Sequence, residues 1–513
     1  MKASIARQLA VRNRRIKHRL AAAHRNKYQR AFCGAGPVID APGVKYELAN
    51  KARGIAYGGV GLMVKLAQEV GLVEAIDKHL QLLKVHVPYH ESDHVLNLAL
   101  NALCDATCLQ DIELRRNDEV FLDALGADAI PDPTTEGDFC RRFTAESLDD
   151  LQMAIDVARL NVWRRQPAEF FAEAVIDMDG TLVVTTGECK AGMDISYQGT
   201  WGYHPLLVTL ANTGEVLSLV NRPGNRPSAE GAAERADRAI LLCHSGGFRK
   251  IRLRGDTAFS QTQHLDRWDA AGVLFQFGYD ATPNLKELVE NLPESAWQKL
   301  VREPPYTRQG PPRPRPANVK RQVIRRREFL HLELKSEQVA EFDYRPTACA
   351  KSYRMIVVRK NISQEKGDQR LFDEIRYFFY ITNDRPARPA KIVFGCNDRC
   401  DQENLIAQLA GGVRALTAPV DNLVSNGAYM LMASLAWTLK AWAALLLPIE
   451  PRKQKEHEQE RRTWLRMEFK TFVQAVIHVP CQIVRQARRT IYRVLSWNPY
   501  LTSFFRLCHE LRC

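Results

Sequence analysis

Three aspartates stand at the ends of two short runs of the sequence, a position that could hold a divalent cation. Ala174–Ile176 leads directly into Asp177 and Asp179, and Lys250–Arg254 leads through a glycine into Asp256. Both runs have the length and pattern of strands. Carboxylate oxygens are hard ligands that suit Mg²⁺-like ions. Such ions support phosphodiester cleavage, where one activates the attacking water or hydroxyl and another stabilises the leaving oxygen.

A third acidic ligand should come from an element that packs across the strands, and Glu403 fits that requirement. Arg399 and Glu403 are four residues apart, so on a helix they share one face. Glu403 could then reach a metal while Arg399 contacts a phosphate. The simpler alternative is a surface ion pair, which contributes about 0.3–0.5 kcal/mol. Asp177, two residues before Asp179 and on the same strand face, is the alternative first ligand.

The elements around these residues predict a mixed α/β core. A glycine-containing turn at Asn212–Glu215 joins two strands as a hairpin. After the first strand, the predicted order is strand Leu206–Ala211, strand Val216–Val220, helix Ser228–Cys243, strand Lys250–Arg254, helix Ser260–Ala271 and strand Val273–Phe277. In a ribonuclease H-like sheet the first and fourth strands of this order are neighbours, which would bring Asp179 and Asp256 together.

Outside this core the sequence predicts helices before it and a β-rich stretch within it. In the helical part, Thr134 or Thr135 is the expected N-cap of a helix that follows Pro131. The six prolines of Pro304–Pro316 mark a boundary. Ala428–Leu447 approaches membrane length, but its polar residues predict a buried helix instead. Strands are predicted at Phe329–Leu334, Tyr353–Arg359 and Arg376–Thr382.

The net charge of +13 is concentrated in three basic blocks. Residues 1–35 contain ten Lys or Arg and no acid, residues 302–327 contain nine against one acid, and residues 450–493 contain eleven against five. Separate basic blocks indicate a long polyanion as partner, although any one block could be a solvated surface. We expect the N-terminal block to be a helix that orders only on the polyanion, and the last block to be a helical tail that includes Ile483–Tyr492.

The twelve cysteines show no closely paired framework, and the N-terminus lacks an apolar signal core. We therefore expect free thiols and a reducing, cytoplasmic location.

Taken together, these motifs resemble the DDE transposases of bacterial insertion sequences. The resemblance rests on Asp179-Gly-Thr, the run Tyr197–Pro205, Arg222–Asn225, Arg254–Phe259 and Arg399-x3-Glu403, and it extends over residues 45–495. The matching subgroup carries a β-domain between the second aspartate and the glutamate. Many relatives have Tyr-x2-Arg-x3-Glu-x6-Lys, whereas this chain has Cys396 and Ala410 at the Tyr and Lys positions.

The resemblance implies a ribonuclease H-like core in which Asp179, Asp256 and Glu403 are both catalytic residues and metal ligands. It implies Mg²⁺, with Mn²⁺ as a possible substitute, and a homodimer on double-stranded DNA in the bacterial cytoplasm, associated with the nucleoid. The protein would bind terminal inverted repeats, cleave both strands and join the 3′-OH ends to target DNA. The residues expected to contact DNA are Arg12, Arg14, Arg15, Lys17, Arg141, Arg142, Tyr197, Trp201, His204, Arg222, Asn225, Arg399, Arg488 and Arg489.

Two other functions remain open on the sequence. Val175–Leu182 also matches the nucleophile motif of haloacid-dehalogenase-type phosphatases, in which Asp177 would attack phosphorus. That family needs a second aspartate after Gly255-Asp256, and this chain lacks it. The changed Tyr and Lys positions also fit a DNA-binding derivative that has lost catalysis.

The predicted division of the chain follows these features. It comprises a basic N-terminal arm at 1–40, a helical DNA-binding domain at 45–165, the first half of the catalytic core at 170–285, a β-rich insertion at 286–385, the second half of the core at 386–450, and a basic helical C-terminal region at 451–513.

Overall fold

The computed structural model describes residues 3–25, Tyr46, and residues 52–188, 190–302, 319–366, 369–486 and 489–513. The proline-rich boundary Pro304–Pro316 and Arg488 lie outside the described residues.

The fold is mixed α/β and is built on one nine-stranded mixed sheet. The strands of the described chain are β1 (Gly54–Ile55), β2 (Ala174–Gly180), β3 (Val183–Val184), β4 (Asp194–Ile195), β5 (Trp201–Tyr203), β6 (Leu206–Leu210), β7 (Glu215–Val220), β8 (Ile251–Gly255), β9 (Leu274–Tyr279), β10 (Gln298–Lys299), β11 (Leu330–Tyr344), β12 (Tyr353–Lys366), β13 (Gln369–Thr382), β14 (Cys481–Gln486) and β15 (Arg489–Val494). The order across the large sheet is β10-β11-β12-β13-β9-β8-β2-β6-β7.

The half of this sheet that carries the aspartates has the predicted succession of strands and helices. β6 pairs antiparallel with β2 and β7, while β8 pairs parallel with β2 and β9. Gly214 makes the β6–β7 turn with φ of +74°, a left-handed conformation that glycine adopts without strain. On β2 the side chains of Ala174, Ile176 and Met178 are buried in the core, so the alternate residues occupy the other face of the sheet.

The β-rich stretch extends the same sheet. β13 pairs antiparallel with β9, so β10–β13 continue the sheet beyond β9 without a break. Its three long strands are also longer than the sequence predicts, at 14 or 15 residues each. The sequence shows only part of them because the segments it misses, residues 335–344, 360–366 and 369–375, are rich in charged and polar residues and lack a regular alternation with apolar ones.

The helices are α1 (Ala3–Arg25), α2 (Val60–Glu69), α3 (Leu72–His79), α4 (Glu91–Leu103), α5 (Ile112–Arg116), α6 (Glu119–Leu125), α7 (Pro133–Arg141), α8 (Ala145–Trp163), α9 (Ala232–Gly246), α10 (Leu265–Ala270), α11 (Pro283–Glu290), α12 (Lys320–Arg326), α13 (Pro389–Asn397), α14 (Cys400–Ala407), α15 (Leu423–Leu445), α16 (Gln454–Arg466), α17 (Phe469–Phe472) and α18 (Leu501–Glu510).

The expected cap of α7 is wrong by two or three residues. Asp132 is the N-cap, and its carboxylate accepts hydrogen bonds from the amides of Thr134 and Thr135. Pro133 occupies the first turn, where a missing N–H is tolerated. An aspartate directly before a proline is therefore a stronger start signal here than the threonines that follow it.

α15 is the buried helix predicted from the apolar run near residue 440. Almost every residue from Ser425 to Leu445 is buried, and the helix packs against α4, α8, α16 and β7. Within the described residues, none of the helices combines the length and apolar character needed to cross a membrane.

The C-terminal region differs from the predicted helical tail. Residues 483–486 belong to β14 and residues 489–492 to β15; these strands pair with each other, and β14 also pairs with β1, in a second sheet. Cys481 and Ile483 are buried while their neighbours are less so, a period of two that a strand requires. The β-branched residues of this stretch outweigh the helical pattern of its Ala-Arg-Arg sequence.

The N-terminal block is helical as predicted, but it is not free. α1 packs against α18, and Leu9 is buried in this contact region. The expectation that the block orders only on a polyanion is therefore wrong for residues 3–25.

Candidate active site

Asp179 and Asp256 lie side by side at the edge of the large sheet that is formed by the carboxyl ends of the neighbouring strands β2 and β8. In the parallel β2–β8 pair, Ala174 is opposite Ile251 and Asp177 is opposite Arg254, a constant offset of 77 residues. The same offset takes Asp179 to Asp256, directly after β8. Parallel register therefore brings the two carboxylates to the same level on adjacent strands.

Glu403 reaches this edge from α14, which packs against β2. Arg399, at the start of the helix, donates from Nη1 to Asp179 Oδ2 at 2.8 Å and from Nη2 to Glu403 Oε1 at 3.3 Å. One guanidinium thus bridges the strand-end carboxylate and the helix carboxylate. Asp179 is only 15% exposed, whereas Glu403 is 56% exposed.

Gln402 fixes α14 onto the sheet, a role that the sequence analysis missed. Its buried Nε2 donates to the main-chain oxygens of Asp177 at 3.1 Å and Leu207 at 3.3 Å. Because these oxygens belong to neighbouring strands, the amide anchors the helix over β2 and β6. Its position directly before Glu403, on the inward side of an amphipathic helix, was the available signal.

Asp177 lies on the same face of the sheet as Asp179 but is committed to a buried ion pair. Arg254 donates to both of its oxygens, from Nε at 2.6 Å and from Nη2 at 2.7 Å. The same guanidinium donates to Gly395 O on α13. Asp177 is therefore a structural partner, which leaves Asp179 as the available carboxylate and disfavours the phosphatase function that needs Asp177 as nucleophile. Asp177 lies two residues before Asp179, and Arg254 lies two residues before Asp256. Because residues two apart on a strand share a face, the sequence could have revealed this pairing.

The pKa of Asp179 reflects its burial and the other acids close to it. Burial raises the pKa of Asp179 to about 6, the Asp256 and Glu403 carboxylates add to the rise, and Arg399 opposes it. Repulsion among carboxylates disfavours the ionised form. The three acids therefore interact electrostatically across the edge of the sheet.

The donor chemistry of this edge suits a hard divalent cation. The side chains nevertheless do not form a ready-made cluster: no group of three or more His, Cys, Asp and Glu in the described part of the chain is arranged to hold a metal ion. Both oxygens of Asp179 already accept hydrogen bonds, Oδ1 from the Gly180 amide and Oδ2 from Arg399. The donors therefore fit a divalent ion in type, while Arg399 lies among them as their present counter-charge.

Aromatic residues from the expected DNA-contact set are exposed close in sequence to Asp179. β3 and β4 pair with β5 in a small third sheet. Tyr197, in the β4–β5 turn, is 94% exposed, and Trp201 at the start of β5 is 47% exposed. Asn225 is also exposed.

His204 and Arg222 instead form an internal network. Arg222 is buried and donates to the main-chain oxygens of His204, Pro227, Ser228 and Glu230. Burial lowers its pKa to about 10. His204 donates from Nδ1 to Arg226 O at 2.9 Å. Arg222 is therefore placed to shape the loop after β7, and its side chain does not reach solvent.

The remaining basic candidates fall into two groups. Arg12 and Arg141 are engaged within the protein: Arg12 donates to main-chain oxygens near β15, and Arg141 pairs with Asp138 and Asp421. The others are exposed at the surface, namely Arg14, Arg15, Lys17, Arg142 and Arg489.

The family of the chain follows from a sequence profile. The profile described as Transposase DDE domain group 1 matches residues 54–513, nearly the whole chain. The chain belongs to this family of DDE transposases. It is accordingly a transposase, an enzyme that cleaves DNA, and DDE transposases generally use divalent metal ions.

No curated protein sequence matches the chain significantly. Among solved structures, the chain is similar to the piggyBac transposase in its synaptic complex with hairpin DNA, at 10% identity and a TM-score of 0.33, with 85% of this chain and 84% of that chain covered. A TM-score this low does not establish a common fold.

Proposed function

We propose that the protein is the transposase of a bacterial insertion sequence and that Asp179, Asp256 and Glu403 are its catalytic acids. The observation that carries this proposal is the parallel register that sets Asp179 level with Asp256, with the Arg399–Glu403 turn of α14 directly above. In this proposal the strand order β7-β6-β2-β8-β9 forms a ribonuclease H-like core, interrupted by an insertion that prolongs its sheet.

The three carboxylates would hold Mg²⁺, or Mn²⁺ in its place. The bound ions would activate the attacking water or 3′-hydroxyl and stabilise the leaving oxygen. The chain itself does the positioning: Gln402 holds α14 against the sheet, and the Asp177–Arg254 pair fixes the strands below the acids. Arg399 would exchange its carboxylate contact for a phosphate oxygen, since guanidinium groups pair well with phosphates.

The substrate would be the inverted repeats at the ends of the element, with target DNA as the acceptor for strand transfer and a homodimer as the active assembly. These events would take place at the nucleoid, in the cytoplasm. The proposed division of labour assigns DNA binding to residues 1–40, 45–165 and 451–513, and catalysis to residues 170–285 and 386–450, with the insertion at 286–385.

A cleavage assay on the flanking DNA tests the proposal. Full-length protein is incubated with labelled duplexes that carry the sequences on either side of the reading frame, with Mg²⁺, with Mn²⁺ and with EDTA. We expect metal-dependent cutting at a terminal repeat, abolished in Asp179→Asn, Asp256→Asn and Glu403→Gln while end binding persists.

Asp401→Asn is the matched control, because Asp401 is an exposed acid on the same helix as Glu403. Normal cutting by any of the three site variants would show that its residue is misassigned. Metal-independent end binding without any cutting by the wild type would instead favour the inactive DNA-binding derivative.

A further inference from the structure

The two ends of the chain meet on one surface. Arg12 of α1 donates from Nη1 to Val494 O at 3.2 Å and to Ser496 O at 3.0 Å, at the end of β15. α1 also packs against α18, and Leu9 is buried. Residues separated by more than 480 positions are thus held together by a side-chain clamp and an apolar contact.

β15 turns its arginines away from the core. Tyr492 donates to Ala124 O, and the Tyr492 and Val494 side chains pack against the core. Because side chains alternate along a strand, Arg489 and Arg493 project from the opposite face, and both are exposed. They are four residues apart, about 13 Å along the strand.

The helix places a matching set of charges beside them. Arg15 and Arg19 follow Arg12 by three and seven residues, so they lie on the same side of α1 as the clamp to β15. Both are exposed, as are Arg7, Arg14 and Lys17. From Arg7 to Arg19 the helix extends about 18 Å.

Neither element can neutralise itself. The sequences of α1, β14 and β15 contain no Asp or Glu. Arg12, by contrast, is used internally, so its role is to hold the helix in place. On β14, Arg485 pairs with Asp123 of α6, whereas the other basic residues named above on α1 and on β15 are exposed.

We infer that α1 and the β14–β15 hairpin form a single composite surface that binds the backbone of one DNA duplex. The choice of DNA as partner rests on the proposed function. The surface deepens that function by assigning a phosphate-binding role to Arg15, Arg19, Arg489 and Arg493 jointly, and a positioning role to Arg12.

The test is the salt dependence of binding. Fluorescence anisotropy of a labelled 30-bp duplex of arbitrary sequence is measured with EDTA over a series of NaCl concentrations. The full-length variants are R15Q/R19Q, R489Q/R493Q and the combination of all four. R249Q/K250Q is the matched control, because Arg249 and Lys250 are exposed basic residues remote from α1 and β15 in sequence. Circular dichroism verifies that each variant is folded.

Each phosphate contact contributes about 0.9 to the slope of log K against log salt. We therefore expect each double variant to lower the magnitude of the slope by about 1.8 and the fourfold variant by about 3.6, with no change in the control. R12Q should behave like R15Q/R19Q although it removes a different side chain, since the helix loses its clamp. Saturation should occur at one duplex per protomer.

An unchanged slope in either double variant would overturn the inference, and so would two duplexes per protomer, which would mean two separate surfaces. Equal losses of affinity for duplex DNA and for polyglutamate would overturn the assignment to DNA. Because EDTA suppresses cutting, these results are independent of catalysis. A wild type that cuts DNA but shows unaltered slopes in the variants refutes the composite surface alone, whereas altered slopes without cutting refute only the proposed function.

Discussion

Asp177 and Asp179 are two residues apart on β2, and their replacement should have opposite consequences. Asp177 is 1% exposed and binds Arg254 through both oxygens. Asp179 is held near two other acids, and its pKa is raised to about 6. Burial raises the pKa of Asp177 as well, but Arg254 opposes that rise through two hydrogen bonds and depends on this carboxylate as its counter-charge. The first carboxylate therefore supports the fold through its ion pair, while the second is maintained near other acids at a cost in stability.

Asp177→Asn leaves the Arg254 guanidinium buried without its counter-charge. Removing one partner of a buried ion pair costs about 3–5 kcal/mol, and because asparagine retains one acceptor we expect about 3 kcal/mol. DNA cutting per folded molecule should persist, because Arg254 occupies both oxygens of Asp177 and this residue is not one of the proposed metal ligands.

Asp179→Asn should have a pH-dependent effect of the opposite sign. The folded-state pKa of Asp179, about 6, exceeds the ordinary value of 3.8. This group therefore stabilises the fold below pH 3.8, and the contribution is lost as the pH rises through 6. Between pH 5 and pH 8 the wild type should lose about 1.4 kcal/mol that the asparagine variant does not lose, since one pH unit corresponds to about 1.4 kcal/mol.

Urea titration followed by tryptophan fluorescence, with EDTA at pH 5 and pH 8, measures both effects. Asp179→Asn should gain stability relative to wild type as the pH rises, and it should not cut DNA. If Asp177→Asn is as stable as wild type, or if the difference between Asp179→Asn and wild type is the same at both pH values, then the assignment of structural and functional acids is wrong.

Three further outcomes are expected. Gln402→Ala removes two hydrogen bonds between α14 and the sheet, which should cost about 1–3 kcal/mol in unfolding free energy and reduce cutting more than DNA binding, as compared by nicking and gel-shift assays. Glu215→Gln disrupts a buried site where Arg159, Trp163 and Trp442 converge on one carboxylate, and a loss of about 3–5 kcal/mol should lower the melting temperature measured by calorimetry. The Mg²⁺ concentration required for half-maximal cutting should rise as the pH drops below about 6, because a proton competes with the cation for Asp179; a requirement for Mg²⁺ that is the same at pH 5 and pH 8 would contradict that role.

The core around the aspartates could be predicted because local and long-range signals agree there. β2 and β8 end in acids, and Gly214 makes the turn that joins β6 and β7 as a hairpin. The helix with Arg399 and Glu403 was likewise visible as an i, i+4 pair. That Arg399 also bridges to Asp179 depends on packing between elements 220 residues apart, which spacing does not encode.

The C-terminal hairpin and Arg222 show where sequence reasoning fails. The sequence predicts that Ile483–Tyr492 is part of a basic helical tail, but the pairing of β14 with β15 and β1 determines its conformation. The sequence motif predicts that Arg222 contacts DNA, yet its guanidinium donates hydrogen bonds to main-chain oxygens inside the fold. In both cases tertiary partners override the local preference.

The proposed catalytic site requires that three acids share a divalent ion, and titration of Mn²⁺ into the protein followed by electron paramagnetic resonance tests this most directly. Wild type should bind Mn²⁺, Asp401→Asn should bind it equally well, and Asp179→Asn, Asp256→Asn and Glu403→Gln should each weaken binding at least tenfold. Undiminished Mn²⁺ binding in any of these three variants would contradict the shared site.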